Sequence, residues 1–170
     1  MSASKVLIKL PSFITKKGNN PVISMIAGGL SAVGLENTLA YSTDGIAWTG
    51  LGNSVFSSMC KAVAWNGKIW VAGGSGTSGT NTLAWSEDGN IWTGLGKSII
   101  SSFCNKVKWN GSIWVALGSG TNTLAWSPDG INWNGLGNNI FKVVSYALAQ
   151  KEVLPTELST EFLINPHGLF

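Results

Sequence analysis

Three aspartates that recur in one local context are the residues of this chain best suited to chemistry. Asp44, Asp88 and Asp129 each follow a serine by two positions and directly precede a glycine. Such carboxylates could bind calcium, contact a sugar or act in glycoside hydrolysis. Calcium, however, usually takes about six to eight oxygen ligands, and each of these positions offers one aspartate. We therefore expect a structural role, in which each side chain accepts hydrogen bonds from the backbone of a tight turn.

The other titratable residues offer few partners for catalysis. A glycosidase needs two facing carboxylates, and only Glu36 among the remaining acids lies near a plausible loop face. The others are next to one of the three aspartates or near the C-terminus: Glu87, Glu152, Glu157 and Glu161. The only histidine, His167, is also near the C-terminus, so the usual parts of a catalytic triad or a zinc site are missing. We expect no enzyme, no metal site and no cofactor.

These aspartates belong to a repeat that runs through most of the chain. NTLAYSTDGIAWTGLGN begins at Asn37, and close copies begin at Asn81 and Asn122, which are 44 and 41 residues further on in turn. A second element, CKAVAWNGKIWVAGGSG from Cys60, is repeated from Cys104. A period of about 40 residues is typical of propeller blades and is longer than leucine-rich or ankyrin repeats.

Each full repeat contains four short apolar segments separated by turn signals. In one unit these are KAVAW, KIWVAGG, TLAWS and NIWTG, with Asn66-Gly67 and Asp88-Gly89 turns between them. Asn-Gly and Asp-Gly pairs predict hairpins with type I′ turns, which have positive φ at both central residues. The prediction is an all-β chain of four-stranded antiparallel meanders.

Both faces of these strands are apolar. Val63 and Trp65 would share one face, and Ala62 and Ala64 the other. A sheet that is apolar on both faces must be covered on both, which stacked blades achieve by packing large side chains against small ones. This indicates β-propeller-type repeats with about three blade equivalents, and most of the nine tryptophans between blades.

The repeated turn resembles the Asp-box, or bacterial neuraminidase, repeat, whose signature is roughly Ser-x-Asp-x-Gly-x-Thr-Trp between the last two strands of a blade. The matching residues are Ser42, Asp44, Gly45 and Trp48, then Ser86, Asp88, Gly89 and Trp92, then Ser127, Asp129, Gly130 and Trp133. Two departures are that glycine directly follows aspartate, and that Ala47, Ile91 and Asn132 replace the threonine. The fuller pattern, over about residues 22–146, is similar to tandem repeats abundant in predicted proteins of large DNA viruses.

The resemblance implies a propeller in which the box lies away from any catalytic centre. Sialidases hold the substrate carboxylate with three arginines and use a Tyr/Glu pair and an Asp at the reacting centre. This chain has no arginine, and all eleven of its basic residues are lysines. Because an ammonium group does not reproduce bidentate recognition by guanidinium, a sialidase-like glycosidase is only the third hypothesis for function.

The composition favours association over nucleic-acid binding. Charged residues make up 11% of the 170 residues, and the net charge is +3 without basic clusters beyond Lys16-Lys17. So little charge favours self-association or a place in a larger assembly such as a capsid, whereas nucleic-acid binders carry concentrated basic patches. No apolar segment is long enough for a membrane span and no signal peptide is visible. The resemblance to viral repeats implies a virion or host-cytoplasm location.

Each end of the repeat region supplies the part of a blade that the other end lacks. Residues 22–52 match the last three strands of a blade, and KVVSY at 142–146 matches the first strand KAVAW. The predicted organisation is an extended segment 1–21, a composite blade 22–52 plus 142–146, full blades 60–96 and 104–137, and an extended tail 147–170. We expect two chains to exchange the 142–146 strand and close a six-bladed ring. The alternative is an open arc, or a sandwich, whose edges are covered by 1–21 and 147–170.

Deviations from the repeat mark the candidate contact residues. Lys106 and Lys108 replace alanines and could line an axial channel, where they would meet an anion or solvent. Ser75, Thr77 and Asn81, in or beside a variable loop, could bind sugar hydroxyls. The leading hypothesis is a non-enzymatic structural or accessory assembly module, for which the viral resemblance implies a minor capsid or surface protein. A glycan-binding propeller lectin is the alternative.

Overall fold

A computed structural model describes residues 22–31, 36–75 and 81–151, and these form eleven antiparallel strands and no helix. The strands are β1 (Met25–Gly28), β2 (Leu39–Ser42), β3 (Thr49–Gly50), β4 (Met59–Trp65), β5 (Trp70–Ser75), β6 (Leu83–Ser86), β7 (Thr93–Gly94), β8 (Phe103–Trp109), β9 (Trp114–Ser119), β10 (Leu124–Ser127) and β11 (Asn134–Gly135). The predicted all-β class is confirmed. The predicted segment 1–21, most of the tail 147–170 and Thr77 lie outside the described residues.

The strands form three meander sheets, with neighbours in the sheet also neighbours in the chain. Sheet 1 contains β1, β2 and β3, sheet 2 contains β4 to β7, and sheet 3 contains β8 to β11. Sheets 2 and 3 share one register, since Trp70 pairs with Ser86 and Trp114 pairs with Ser127. The repeated sequence thus produces repeated sheets. Among the described residues, sheet 1 has three strands, whereas sheets 2 and 3 have four each.

The turn between the first two strands of sheets 2 and 3 differs from the type I′ prediction. Trp65 pairs with Trp70, so four residues form the loop, and Gly67 has φ +95° while no described residue other than glycine has a positive φ. Asn66 instead accepts hydrogen bonds at Oδ1 from the backbone N–H groups of Lys68 and Ile69, at 2.9 and 2.8 Å. The asparagine side chain therefore organises the loop, and only the glycine takes the left-handed conformation.

Two apolar clusters between the sheets form the core. Val63 belongs to the cluster between sheets 1 and 2, whereas Ala62 and Ala64 belong to the cluster between sheets 2 and 3. The predicted alternation of large and small faces is confirmed by this division. Sheet 2 is consequently a layer that a neighbouring sheet covers on each side.

The tryptophans differ in how deeply the sheets bury them. Trp114 is fully buried between sheets 2 and 3, but Trp48 and Trp65 leave 45% and 42% of their surface exposed. Five of the nine tryptophans belong to the two clusters or pack against them, so most lie between sheets as predicted: Trp85, Trp92, Trp109, Trp114 and Trp133. Trp48 and Trp65 lie beside or at the end of a strand and are the exposed ones. Trp65 instead packs on Trp70, with ring centroids 4.8 Å apart.

Close approach between sheets depends on cysteine and glycine at facing positions. Cys60 and Cys104 are buried free thiols, and burial raises the pKa of both to about 12. A Cβ placed at Gly28 would lie 2.7 Å from Cys60 Sγ, and one placed at Gly73 would lie 2.5 Å from Cys104 Sγ. Each cysteine therefore occupies the space that the glycine of the preceding sheet leaves open.

Candidate functional site

The three turns that resemble the Asp box, called Asp-box turns below, share one hydrogen-bond pattern. In the first, the Ser42 hydroxyl donates to Asp44 Oδ1 at 3.0 Å and accepts from the Gly45 N–H at 2.8 Å. Asp44 Oδ1 also accepts from the N–H groups of Ile46 and Ala47, at 2.8 and 2.9 Å. The same bonds recur around Asp88 and Asp129. One carboxylate oxygen of each aspartate is thus committed to its own turn.

The tryptophan and glycine of each box link the turn to the sheets. Trp92 Nε1 donates to the Gly89 carbonyl at 3.0 Å, and Trp133 repeats this bond to Gly130 at 2.9 Å. A Cβ at Gly89 would lie 2.9 Å from Ile26 Cδ1 of sheet 1, and one at Gly130 would lie 2.8 Å from Ile69 Cδ1 of sheet 2. The glycines of sheets 2 and 3 therefore lie against the preceding sheet.

Hydrogen bonds lower the pKa of all three box aspartates. For Asp44 the largest cause is the bond from the Ile46 N–H, followed by that from Ala47. For Asp88 and Asp129 burial raises the pKa, but the hydrogen bonds of the turn outweigh this effect. The strongest of these bonds to Asp129 comes from the Asn132 side chain, whose Nδ2 lies 2.7 Å from Asp129 Oδ2. A carboxylate held ionised in this way is poorly suited to act as a general acid.

The predicted sugar-contact residues lie close in sequence but have different surroundings. Asn81 Oδ1 accepts from the Gly96 N–H at 2.9 Å, and its Nδ2 donates to the Val55 carbonyl at 3.1 Å. Ser75 ends β5 and its carbonyl accepts from the Ser58 N–H. A sugar hydroxyl would have to compete with the backbone for Asn81, so its contact with a glycan stays a prediction.

Lys106 and Lys108 lie on the outward face of sheet 3. Lys106 is exposed, and Lys108 lines a small hollow of about 140 Å³ together with Val115, Leu148 and Gln150. The axial channel predicted for these lysines remains a prediction. The hollow shows that residues 148–150 fold back over β8.

A second hollow, of about 270 Å³, adjoins the Asp-box turn of sheet 2. Its lining combines the Trp85 ring with the polar residues Glu87, Asp88 and Thr93. An aromatic wall beside carboxylates can hold a sugar ring, although Asp88 Oδ1 is already used by the turn. No group of three or more metal-ligating side chains occurs among the described residues. Sequence reasoning missed this hollow because Trp85 and Thr93 meet only across paired strands.

The chain following sheet 3 enters a register that differs from the sequence alignment. The predicted match placed Lys142–Tyr146 at the position of Lys61–Trp65. The Ser145 N–H instead donates to the Gly118 carbonyl at 3.0 Å, as the Cys60 N–H donates to the Gly29 carbonyl at 2.9 Å. Ser145 therefore occupies the cysteine position, and the predicted register is wrong. The similarity of KVVSY to KAVAW is short and indicates a different register. Counted from the last glycine of each GLG sequence, Cys60, Cys104 and Ser145 all lie eight residues further on.

Comparisons of the chain with models of protein families, with curated proteins and with solved structures found no match. Within the described ranges, no helix long and apolar enough to cross a membrane is present.

Proposed function

We propose that this chain is a non-enzymatic assembly module that acts through protein–protein contacts at the two ends of its stack of sheets. The carrying observation is that side chains buried between sheets have exposed counterparts at the end of the stack. Phe56 and Ile100 are fully buried, while Phe141 at the same repeat position is 44% exposed. An exposed apolar surface of this kind indicates an interaction site.

In this proposal the three sheets are blades of a propeller that one chain does not complete. Each sheet is a meander of the blade type, and sheet 2 packs apolar side chains against a neighbouring sheet on both of its faces, which supports the assignment. Propellers typically have about four to eight blades, so three blade equivalents require further ones from a partner.

A virion-associated minor capsid or surface protein is the form of this function that the sequence resemblance favours. The low charge of the chain, 11% of residues, is consistent with a place inside a larger assembly. The resemblance of the repeat to the tandem repeats of large DNA viruses is the only support for the viral part of the proposal.

Sedimentation of the native protein from extracts of its source tests the assembly function. We expect the chain to sediment with particles far larger than its own mass of 17.9 kDa. Phe141→Asp should release it, and Ile46→Asp, which places the same charge on a side chain 87% exposed in an Asp-box turn, should not. A wild-type chain that sediments as a free monomer would exclude the proposal.

Glycan binding is the second candidate, favoured by the hollow beside Trp85. A lectin would stack a sugar on this ring and bind its hydroxyls with Glu87 and Thr93. A glycan array with the wild type and Trp85→Ala separates the two functions. Glycan binding that the substitution abolishes supports the lectin, and absence of any bound glycan excludes it.

A further inference from the structure

Residues 145–150 occupy the position of the first strand of a fourth sheet. Asn105 Nδ2 donates to the Ser145 carbonyl at 2.8 Å, and Gln150 Nε2 donates to the Asn110 carbonyl at 2.8 Å, which holds the segment against sheet 3. Ser145 is buried and Leu148 is half-buried, whereas Tyr146, Ala147 and Ala149 are exposed. In sheet 3, Cys104 and Val107 likewise face the preceding sheet. The segment thus lies on sheet 3 in the way that β8 lies on sheet 2. Among the described strands, the only pairing in this region is the single bridge between Val144 and Ser119.

Sheet 1 lacks the strand that this segment resembles. β5 pairs with β4 and β6, and β9 pairs with β8 and β10, but β1 pairs only with β2 among the described strands. The register of sheet 2 joins Cys60 to Gly74, Ala62 to Gly73 and Val63 to Ala72. Applied to the incomplete sheet, this register would join Ser145 to Gly29, Ala147 to Gly28 and Leu148 to Ala27.

In sheets 2 and 3 an apolar side chain packs on a glycine at the same repeat position. A Cβ at Gly74 would lie 2.9 Å from Phe56 Cγ, and one at Gly118 would lie 2.6 Å from Ile100 Cγ2. Gly29 is the third glycine of this series, and in the described part of the chain no atom lies within 4 Å of a Cβ placed there. Its counterpart side chain is Phe141, which is exposed at the other end of the stack.

We infer that a second copy of this chain binds head to tail: Phe141 of one copy packs on Gly29 of the next, and residues 145–150 pair antiparallel with β1. This rests on the proposed assembly function and names its partner. The edge of β1 that no described strand pairs with and the segment 145–150 are two halves of a contact that the chain already makes twice internally. A second copy is the partner that supplies both halves.

The chemistry of the two surfaces fits such a contact. Neither Ser145–Gln150 nor Met25–Gly29 contains a charged side chain, so pairing brings no buried charge into the interface. The contact joins two different surfaces, and such head-to-tail contacts give closed rings or open filaments according to the rotation between copies. Both products are self-associated states of the same interface.

Light scattering of the purified full-length chain over a hundredfold concentration range tests the inference. We expect a wild-type molar mass of at least twice the 17.9 kDa of one chain. Gly29→Ala should weaken association at least tenfold without lowering the melting temperature of the dilute protein, because its Cβ meets no atom of the described residues but would meet Phe141 of the partner. Phe141→Asp should do the same, and Ile46→Asp should associate like the wild type.

Cysteine pairs test the register between copies. A mixture of Leu148→Cys and Ala27→Cys chains should form a disulfide-linked dimer under mild oxidation, because directly opposed residues have Cα atoms about 4.5–5.5 Å apart. Leu148→Cys mixed with Met25→Cys, two residues away on the same side of the strand, should link far less. The native cysteines are buried and their pKa is raised to about 12, so they should not compete.

The outcomes separate this inference from the proposed function. A purified chain that is monomeric at every concentration, or an oligomer that survives both Gly29→Ala and Phe141→Asp, overturns the head-to-tail contact. If such a chain still sediments with large particles in native extracts, and Phe141→Asp still releases it, the assembly function stands with a different protein as partner.

Discussion

The carboxylate of Asp129 accepts more hydrogen bonds than any other side chain in its turn, from Ser127, Ile131 and both the backbone and side chain of Asn132. These bonds require the ionised form and lower its pKa below the ordinary value of 3.8. A lowered pKa in the folded state means that the unfolded chain binds the proton more tightly. The stabilisation is therefore present above about pH 4 and is lost as the pH falls further.

We predict that Asp129→Asn weakens the acid sensitivity of the fold. The variant should melt at a lower temperature than the wild type at pH 7, because it loses charge-assisted bonds. Between pH 4 and pH 2 its melting temperature should fall less steeply, because one group no longer takes up a proton on unfolding. Circular dichroism melts at pH 7, 4, 3 and 2 measure both slopes, and equal slopes would contradict the assignment of Asp129.

Asn81 gives a second prediction at the residue scale. Its amide joins the backbone at Gly96 to that at Val55, so Asn81→Ala should leave two backbone groups without partners and reduce the free energy of unfolding by about 1–3 kcal/mol. Urea unfolding measures the change, with the exposed Asn90→Ala as the matched control. A variant as stable as that control would contradict the structural role of the Asn81 amide.

At the scale of the element, the spacing between sheets depends on pairs such as Gly73 and Cys104. We predict that Gly73→Ala lowers the free energy of unfolding by about 1–3 kcal/mol, since the new methyl group overlaps the sulfur. Cys104→Ala removes that overlap, so the double variant should be less destabilised than the sum of the two single changes. Chemical unfolding of all four proteins gives the coupling, and additive effects would exclude direct contact.

The strands could be predicted from the sequence because the segment that forms each of them occurs in more than one repeat. The strands of sheets 2 and 3 follow from apolar segments between Asn-Gly and Asp-Gly pairs, and their two faces follow from the alternation of Val63 with Ala62 and Ala64. The turn type was wrong because the side chain of Asn66 supplies bonds that a pattern of φ angles does not include. Local composition thus predicts where a loop lies better than how its backbone closes.

The candidate sites were harder to predict than the elements, because they depend on contacts between strands. The hollow at Trp85 requires β6 and β7 to be paired, and no spacing in the sequence reports its shape. The register at Ser145 was missed for a related reason. The five-residue similarity at 142–146 indicates one register, whereas the constant eight-residue spacing from each GLG glycine indicates another. The hydrogen bond from Ser145 to Gly118 follows the second register.

At the scale of the whole molecule, the described residues leave apolar side chains exposed at both ends of the stack of sheets. Phe141, Val143 and Tyr146 are exposed beyond sheet 3, and Met25 and Leu30 are exposed in or next to β1. The internal junctions between sheets bury the equivalent of Phe141 completely. A contact between copies should therefore have the apolar character of the core and should depend little on salt, since screening acts on charges.

The final prediction couples the stability of the fold to the protein concentration. If folded copies bind each other and unfolded ones do not, mass action adds up to about 1.4 kcal/mol per tenfold rise in concentration above the dissociation constant. For a chain of this size, each kcal/mol raises the melting temperature by about 2–4 °C. Calorimetry over a hundredfold range should therefore show a rising melting temperature for the wild type and for Ile46→Asp. Gly29→Ala should show a smaller rise over the same range, from a dilute value no lower than that of the wild type, because the substitution weakens the contact between copies and meets no described atom within its own chain.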